Sequence, residues 1–256
     1  MTGYVFLTTL KDLLRPQRLL AWLAVVGMVF VISKVWSILA ADLSGADSFG
    51  RVYQAVVLHV VALAAAVFGT MVLSQEVEQK TVVYLITRPV SRRTLIFGRM
   101  LAAAAVSFGV GFLSLLAAGF AILGTGIFTN PSFMVDVLIL GIGVMAYMGL
   151  FVFLSLAIAR SLIFSLLFAF GWETFVPNMP GDMYYVSILT YLRSAAPEAV
   201  IAAGPSLGDV ITGALAPKSV SPGTSWVVLT VLVIGLWCLC LWWFSRFEYS
   251  PREEGE

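Results

Sequence analysis

The side chains that could perform catalysis are few and widely separated in this chain of 256 residues. His59 is the single histidine, while Cys238 and Cys240 lie two positions apart and therefore face different sides of a helix. Intramembrane proteolysis needs paired aspartates, a metal cluster or a nucleophile with its base, and one histidine with two misaligned cysteines cannot supply the metal version. Asp136 and Asp182 are expected outside the apolar core. We therefore expect no enzyme active site in this chain.

Glu173 and the aromatic residues before it form a second group of candidates. Glu173 is the one acidic residue in the apolar run 161–176, and such a residue is by default a functional candidate. Because it lies near the end of the run, a solvated or loop-bonded carboxylate is the alternative to a substrate or proton site. An aromatic stripe shares this run, at spacings of four, four and three: Phe164, Phe168, Trp172 and Phe175. The stripe is suited either to lining a route for hydrophobic or amphiphilic molecules or to helix packing.

The composition places these residues in a membrane. Hydrophobic residues make up 60% of the chain and charged residues 11%, which leaves too little polar surface for a soluble globule. A bilayer core of roughly 30 Å needs about 20 apolar residues of helix. The sequence therefore predicts an all-α integral membrane protein, in which residues 19–245 form six transmembrane helices. The six runs are 19–41, 55–73, 95–123, 135–158, 161–176 and 226–244.

Residues 1–18 predict an amphipathic helix that lies in the membrane interface. Leu7, Leu10 and Leu14 share one face at helical spacing, and Lys11 lies on the other face. Pro16 ends this helix, so the chain turns there into the first span.

The distribution of lysine and arginine predicts the orientation. With the N-terminus inside, the cytoplasmic segments hold eleven of these residues and the outer segments only three, Arg51, Arg193 and Lys218. Both termini, including the tail 246–256, are then cytoplasmic, and the location is the plasma membrane. Lys34 is expected to snorkel to the outer headgroups, and His59 is expected at the interface where the second span begins.

The segment 177–225 predicts a large extracytoplasmic loop. Its six prolines prevent a single long helix. Residues 183–192 and 199–203 are apolar enough for short helices that lean on, or dip into, the outer leaflet. The fifth span is short and hands over directly to these helices.

The longest charged segment between two membrane-length runs is 74–94. Glu76 and Lys80 form an i,i+4 pair of favourable polarity, so the second span extends into water here. An apolar surface too short to cross a bilayer follows, and Pro89 then forces the residue before it out of helical geometry. Ser91 is a suitable N-cap for the third span. The segment predicts a short helix at the inner surface, which a soluble partner can grip.

The order acidic, Thr, Leu, Pro, Ser-Arg is formed by Glu78, Thr81, Leu85, Pro89, Ser91 and Arg92, with Gly98 and Arg99 at the start of the next apolar helix. This order resembles the permease subunits of ABC-2 type transporters, although Lys80 stands where that family commonly has a glycine. Six spans, an interfacial N-terminal helix and a long outer loop between spans five and six match the family over essentially the full length.

The resemblance implies a half-transporter that pairs with a second permease copy, identical or paralogous, while separate ATP-binding subunits dock beneath. The chain has no G-x-x-x-x-G-K-[ST] phosphate loop, so ATP and Mg²⁺ are expected on the partner subunit and no cofactor in this chain. The docking residues would be Glu76, Glu78, Lys80, Thr81, Val82, Val83, Tyr84, Leu85, Ile86, Arg88, Pro89, Arg92 and Arg93. The alternative is an ordinary cytoplasmic loop kept basic for topology.

Three function classes remain open at this stage. The first is ATP-driven export of a hydrophobic or amphiphilic substrate, with a pathway formed by Phe164, Phe168, Trp172, Glu173 and Phe175. The second is a mechanotransmitter that passes ATP-driven motion through the outer loop to an extracytoplasmic protein. The third is a passive membrane scaffold, whose behaviour would not depend on an ATP-binding partner.

Overall fold

The computed structural model describes residues 2–40, 43–78, 92–158, 160–178, 182–196 and 220–246, and every regular element in these ranges is helical. The main helices are α1 (Thr2–Leu13), α2 (Pro16–Leu39), α3 (Gly45–Val52), α4 (Leu58–Glu78), α5 (Arg92–Ile122), α6 (Phe133–Ala157), α7 (Ser161–Leu167), α8 (Ile188–Ala195) and α9 (Pro222–Arg246). A π-helical turn, Tyr53–Val57, joins α3 to α4, and a second, Phe168–Trp172, joins α7 to the helical turn Glu173–Phe175. Short 3₁₀ turns lie at Gly124–Thr129, Val176–Asn178 and Met183–Val186.

Among the described residues, five helices are long and apolar enough to cross a membrane: α2, the joined α3–α4 helix, α5, α6 and α9. They coincide with five of the six predicted spans, which confirms the all-helical membrane architecture. The remaining run forms the shorter apolar helix Ser161–Phe175. At 1.5 Å per residue this helix covers about 22 Å, less than a bilayer core.

Local sequence signals explain several of the helix ends. Arg15 is extended, with φ −60° and ψ 139°, because it precedes Pro16, which occupies the first turn of α2. Ser44 caps α3 by accepting a hydrogen bond from the Asp47 amide at 3.1 Å. Gly124 follows the end of α5 with φ +59°, a left-handed conformation that glycine adopts at little cost.

The core of the bundle is formed by the α3–α4 helix, α5 and α6. More than half of the most apolar stretch of each of these helices is buried, against 11% for α2 and for α9. The central helices therefore pack on one another, while α2 and α9 turn most of their side chains outward. In a membrane protein, those outward faces meet lipid or another membrane protein.

Interhelical hydrogen bonds and a close backbone approach fix the register of the central helices. The Tyr53 hydroxyl donates to the Asp136 carbonyl at 2.8 Å, so the junction between α3 and α4 lies close to the first turn of α6. On the other side of α6, Trp237 Nε1 donates to the Met145 carbonyl at 3.0 Å. A Cβ placed on Gly149 would lie 2.9 Å from Leu236 Cβ, so α6 and α9 also approach closely.

Two polar residues lie elsewhere than the sequence predicts, and Lys34 has a partner that the sequence does not name. Asp136 is fully buried in the first turn of α6, so its expected place outside the core is wrong. His59 does not mark the start of a span, because the helix that contains it begins at Gly45. Lys34 donates to the Ala121 carbonyl at 3.4 Å, so its ammonium is bound by the C-terminal end of α5, where the helix dipole favours a cation.

Candidate functional site

Most of the predicted docking segment lies outside the described residues. This applies to Lys80, Thr81, Val82, Val83, Tyr84, Leu85, Ile86, Arg88 and Pro89. Glu76 and Glu78 belong to the last turns of α4, and Arg92 begins α5. Arg93 follows it with an exposed side chain. The structure thus places helical ends on both sides of residues 79–91.

A direct contact joins the two helices that lead to and from this segment. Arg99 in α5 donates from Nη1 to the Val72 carbonyl of α4 at 3.2 Å. Met100 and Ile96 are fully buried next to it, so this end of α5 is anchored in the bundle. Arg99 therefore links the two helices that flank residues 79–91.

The aromatic stripe on the Ser161–Phe175 helix faces largely away from the rest of the chain. Phe164 is 48% exposed and Phe175 is 66% exposed. Phe168 is half-buried, where it stacks on Trp172 with ring centroids 6.1 Å apart and meets the edge of Phe151. Packing within this chain therefore accounts for Phe168 but not for most of the stripe.

The neighbouring face of the same helix is buried and partly polar. Ser161, Ser165, Ala169 and Glu173 recur at intervals of four residues, and each is at most 4% exposed. This face packs on the bundle, while the aromatic stripe runs beside it. Sequence inspection singled out the bulky stripe and missed the face of small residues that leads to Glu173.

Glu173 is bound to the start of α8. Its carboxylate accepts hydrogen bonds from Ser187 Oγ at 2.6 Å, from the Ile188 amide at 3.2 Å and from the Leu189 amide at 3.0 Å. Of the two alternatives drawn from the sequence, this geometry is that of a loop-bonded carboxylate and not of a solvated one, since only 1% of Glu173 is exposed. The residue connects two segments that the sequence alone does not pair.

Further polar side chains gather around this carboxylate. Tyr147, fully buried in α6, lies within electrostatic reach of both Glu173 and Arg193. Arg193 in the last turn of α8 is in turn within reach of His59 in α4. We call His59, Tyr147, Glu173, Ser187 and Arg193 the polar cluster. It draws its members from four separate segments and lies inside the bundle.

Two opposing effects act on the pKa of Arg193. Burial lowers the pKa of Arg193, whereas the nearby Tyr147 and Glu173 raise it. A guanidinium stays protonated in proteins, so Arg193 provides a positive charge within electrostatic reach of the Glu173 carboxylate. Its position at the C-terminal end of α8 also suits the helix dipole.

The segment after the Ser161–Phe175 helix is inserted into the bundle. A Cβ placed on Gly143 would lie 3.1 Å from Leu192 Cδ1, so α8 packs against the backbone of α6. Gly143 lies about 15 Å along α6 from Phe133, well inside the helix. Residues 199–203, where the sequence predicts another short helix, lie outside the described residues.

The described residues offer no metal centre. Within the described ranges, His, Cys, Asp and Glu side chains form no group of three or more that could hold a metal ion. The polar cluster itself combines one histidine and one carboxylate with an arginine, a donor set that does not suit a cation.

Residues 15–174, more than half of the chain, match the family model described as ABC-2 family transporter protein. The chain belongs to the ABC-2 transporter family. The match runs from the start of α2 to Thr174 and therefore includes the first four long apolar helices and all of the aromatic stripe except Phe175. No curated protein matches the chain.

The polar residues around Glu173 that the sequence analysis did not name have weak sequence signals in this ABC-2 permease. Ser187 and Thr190 form an N-cap pair, since Ser187 Oγ accepts from the Thr190 amide at 3.4 Å, and such a pair is recognisable in sequence. Tyr147 has no such signal, because one tyrosine in a long apolar helix resembles any packing residue.

Proposed function

We propose that this ABC-2 permease is the membrane subunit of an ATP-driven transporter that exports a hydrophobic or amphiphilic substrate. It would cross the plasma membrane six times with both termini in the cytoplasm, pair with a second permease copy and depend on a separate ATP-binding subunit. Membership of the ABC-2 transporter family, together with five membrane-length helices, is the observation that carries this proposal.

The coupling step is supported by the arrangement around residues 79–91. The ATP-binding subunit would grip this segment and bias the permease pair between two arrangements, which is the differential interaction that coupling requires. Movement of the segment would then reach α4 and α5 together, because Arg99 bonds to the Val72 carbonyl. These two helices lead into the buried core of the bundle.

The proposed pathway is supported by the exposure of the aromatic stripe. Phe164, Trp172 and Phe175 are each more than a third exposed on a helix whose other face is bound to the bundle. An outward aromatic face suits contact with amphiphilic molecules or with a second permease copy. In the proposed dimer, the stripes of the two copies would border the route of the substrate.

The docking proposal is tested by Leu85→Asp, because a charge in the apolar part of the segment should prevent its burial in a groove of the partner. We expect the variant to insert normally but to lose co-purification with the co-expressed ATP-binding subunit by about ten-fold or more. The matched control is Met183→Asp, which introduces the same carboxylate at an exposed position before α8. It should co-purify like the parent.

Two results would count against the proposal. Parent-like co-purification and ATPase stimulation by Leu85→Asp would show that the segment 74–94 is not the docking site. Equal loss in Met183→Asp would show that a new charge anywhere disturbs the complex.

A further inference from the structure

We propose that Glu173 is a positioning residue that fastens α8 to the end of the Ser161–Phe175 helix, so that the two move as one unit. The inference rests on the proposed function, since it names the element that the fifth span would move during transport. Glu173 and Ser187 are each only 1% exposed, so their contact lies entirely within the protein.

Glu173 provides hydrogen-bond acceptors for the first backbone amides of α8. The first amides of a helix have no partner within the helix. In α8 the Ile188 and Leu189 amides donate to Glu173, and the Thr190 amide donates to Ser187 Oγ. Ser187 also donates to Glu173. The carboxylate of Glu173, which belongs to another helix, therefore binds the N-terminal turn of α8 both directly and through Ser187.

The charge of Glu173 strengthens this attachment. A carboxylate at a helix N-terminus interacts favourably with the helix dipole, and hydrogen bonds to an ionised acceptor are stronger than neutral ones. The charged and titratable groups that face it are Tyr147 from α6, Arg193 from α8 and, beyond Arg193, His59 from α4. Arg193 provides the opposite charge within the same buried region.

The other main contacts of α8 are with α6 and α9. Leu192 packs on Gly143 of α6, and α8 also packs along α9, while the directional hydrogen bonds described above run to Glu173. When the Ser161–Phe175 helix shifts against α6, α8 should therefore follow Glu173.

The inference is tested on the full chain alone, purified in lipid nanodiscs, with a cysteine reporter on α8. The two native cysteines are first removed by Cys238→Ser and Cys240→Ala. Ser194→Cys is then introduced as the reporter, because Ser194 is 7% exposed and is protected as long as α8 stays packed in the bundle. The readout is the rate of labelling by a membrane-impermeant maleimide. A second reporter, Met183→Cys, is 51% exposed before the substitution and should label rapidly in every background.

We expect Glu173→Ala to raise the labelling rate of the α8 reporter about ten-fold or more, because two buried amides lose their acceptor. Glu173→Gln should give an intermediate rate, since its amide oxygen can still accept one of these bonds. The matched control is Ser165→Ala, on the same buried face two helical turns earlier. The Ser165 hydroxyl has no hydrogen-bond partner within the described part of the chain. The labelling rate of this variant should equal that of the parent.

An unchanged labelling rate in Glu173→Ala would overturn the inference. If Glu173→Ala fails to yield monodisperse protein, Ser187→Ala takes its place. Equal rates for Ser187→Ala and the parent would likewise contradict the attachment. Acceleration in Glu173→Ala together with a fully parent-like rate in Glu173→Gln would reduce Glu173 to a packing residue, because glutamine keeps the volume of the side chain but not the carboxylate.

A second measurement separates this inference from the proposed function. In the complex with the co-expressed ATP-binding subunit, trapping with ATP and vanadate should change the labelling rate of the α8 reporter several-fold in the parent. The change should be absent in Glu173→Ala. No response to nucleotide in the parent would count against ATP-driven coupling, whereas an equal response in parent and Glu173→Ala would count against the attachment.

Discussion

Gly149 shows how a single residue determines the distance between two helices. A Cβ at this position would lie 2.9 Å from Leu236 Cβ and 3.2 Å from the Trp237 ring. The Gly149 carbonyl also accepts a hydrogen bond from Cys240 Sγ at 3.3 Å. Glycine is therefore required here by the close approach of α6 and α9.

Gly149→Ala should lower the thermal unfolding midpoint of the purified protein, because the added methyl group must push α9 away. Overpacking of this kind costs about 1–3 kcal/mol. Gly109→Ala is the control, since nothing lies within 4 Å of a Cβ at that position. The midpoints can be compared by tryptophan fluorescence, and equal midpoints for the two variants would contradict a tight interface at Gly149.

For single residues, the sequence predicted which residue types matter better than it predicted the residues that they contact. It singled out Glu173 because an acid in an apolar run is costly and needs a partner. It did not name Ser187 and the amides of α8, because they come from a segment fourteen or more residues later. It also did not place Asp136 in the core, since burial of a polar side chain depends on which helices surround it.

Arg99 joins the helices α4 and α5 by a hydrogen bond to the Val72 carbonyl of α4. We expect Arg99→Met to keep binding of the ATP-binding subunit but to weaken the response to it. The methionine fills similar space yet cannot donate a hydrogen bond, and a bond from a charged donor is worth about 1.5–3 kcal/mol.

The measurement for Arg99→Met is the ATPase rate of the purified complex relative to the isolated ATP-binding subunit, which should fall several-fold. Lys11→Met is the control, because Lys11 is an exposed cation on α1. A parent-like ATPase rate in Arg99→Met complexes would exclude a coupling role for this bond.

The apolar runs predicted the existence of the helices well but some of their limits poorly. The second span was expected to begin at residue 55, whereas its helix begins at Gly45. The signals for the earlier start are present, since Ser44 caps the helix and Asp47 stands in its first turn. Hydropathy obscured them, because residues 45–52 are largely polar or small.

The number of spans determines whether the two termini lie on the same side of the membrane. If the Ser161–Phe175 helix crosses together with the five long helices, both termini are cytoplasmic; with five crossings they would be on opposite sides. We expect the six-span arrangement, because the lysine and arginine distribution favours it.

Reporter fusions check this prediction. Green fluorescent protein fused to either terminus should fluoresce in intact cells, whereas alkaline phosphatase inserted at Met183 should be active. An active phosphatase at the C-terminus combined with a fluorescent N-terminus would establish an odd number of crossings.

The amino-acid composition of the helices did not predict which of them lie at the centre of the bundle. The five long helices have similar mean hydropathies, between 2.1 and 2.5, yet 61% of the most apolar stretch is buried in the α3–α4 helix and only 11% in α2. Lipid is as apolar as leucine, so an outward helix and a central helix can have the same composition. Burial is decided by small residues and polar contacts between helices, which become visible only in three dimensions.

The π-helical turn Phe168–Trp172 determines the direction in which the side chains after it point from the helix axis. In an uninterrupted α-helix, twelve residues from Ser161 would turn Glu173 about 120° away from the serine. The wider turn accommodates one surplus residue and takes back about 100° of that rotation, which returns the carboxylate to the line of Ser161 and Ser165. The orientation of Glu173 therefore depends on backbone geometry here as much as on residue identity: with the same residues in a regular α-helix, its carboxylate would point about 120° away from the line of Ser161.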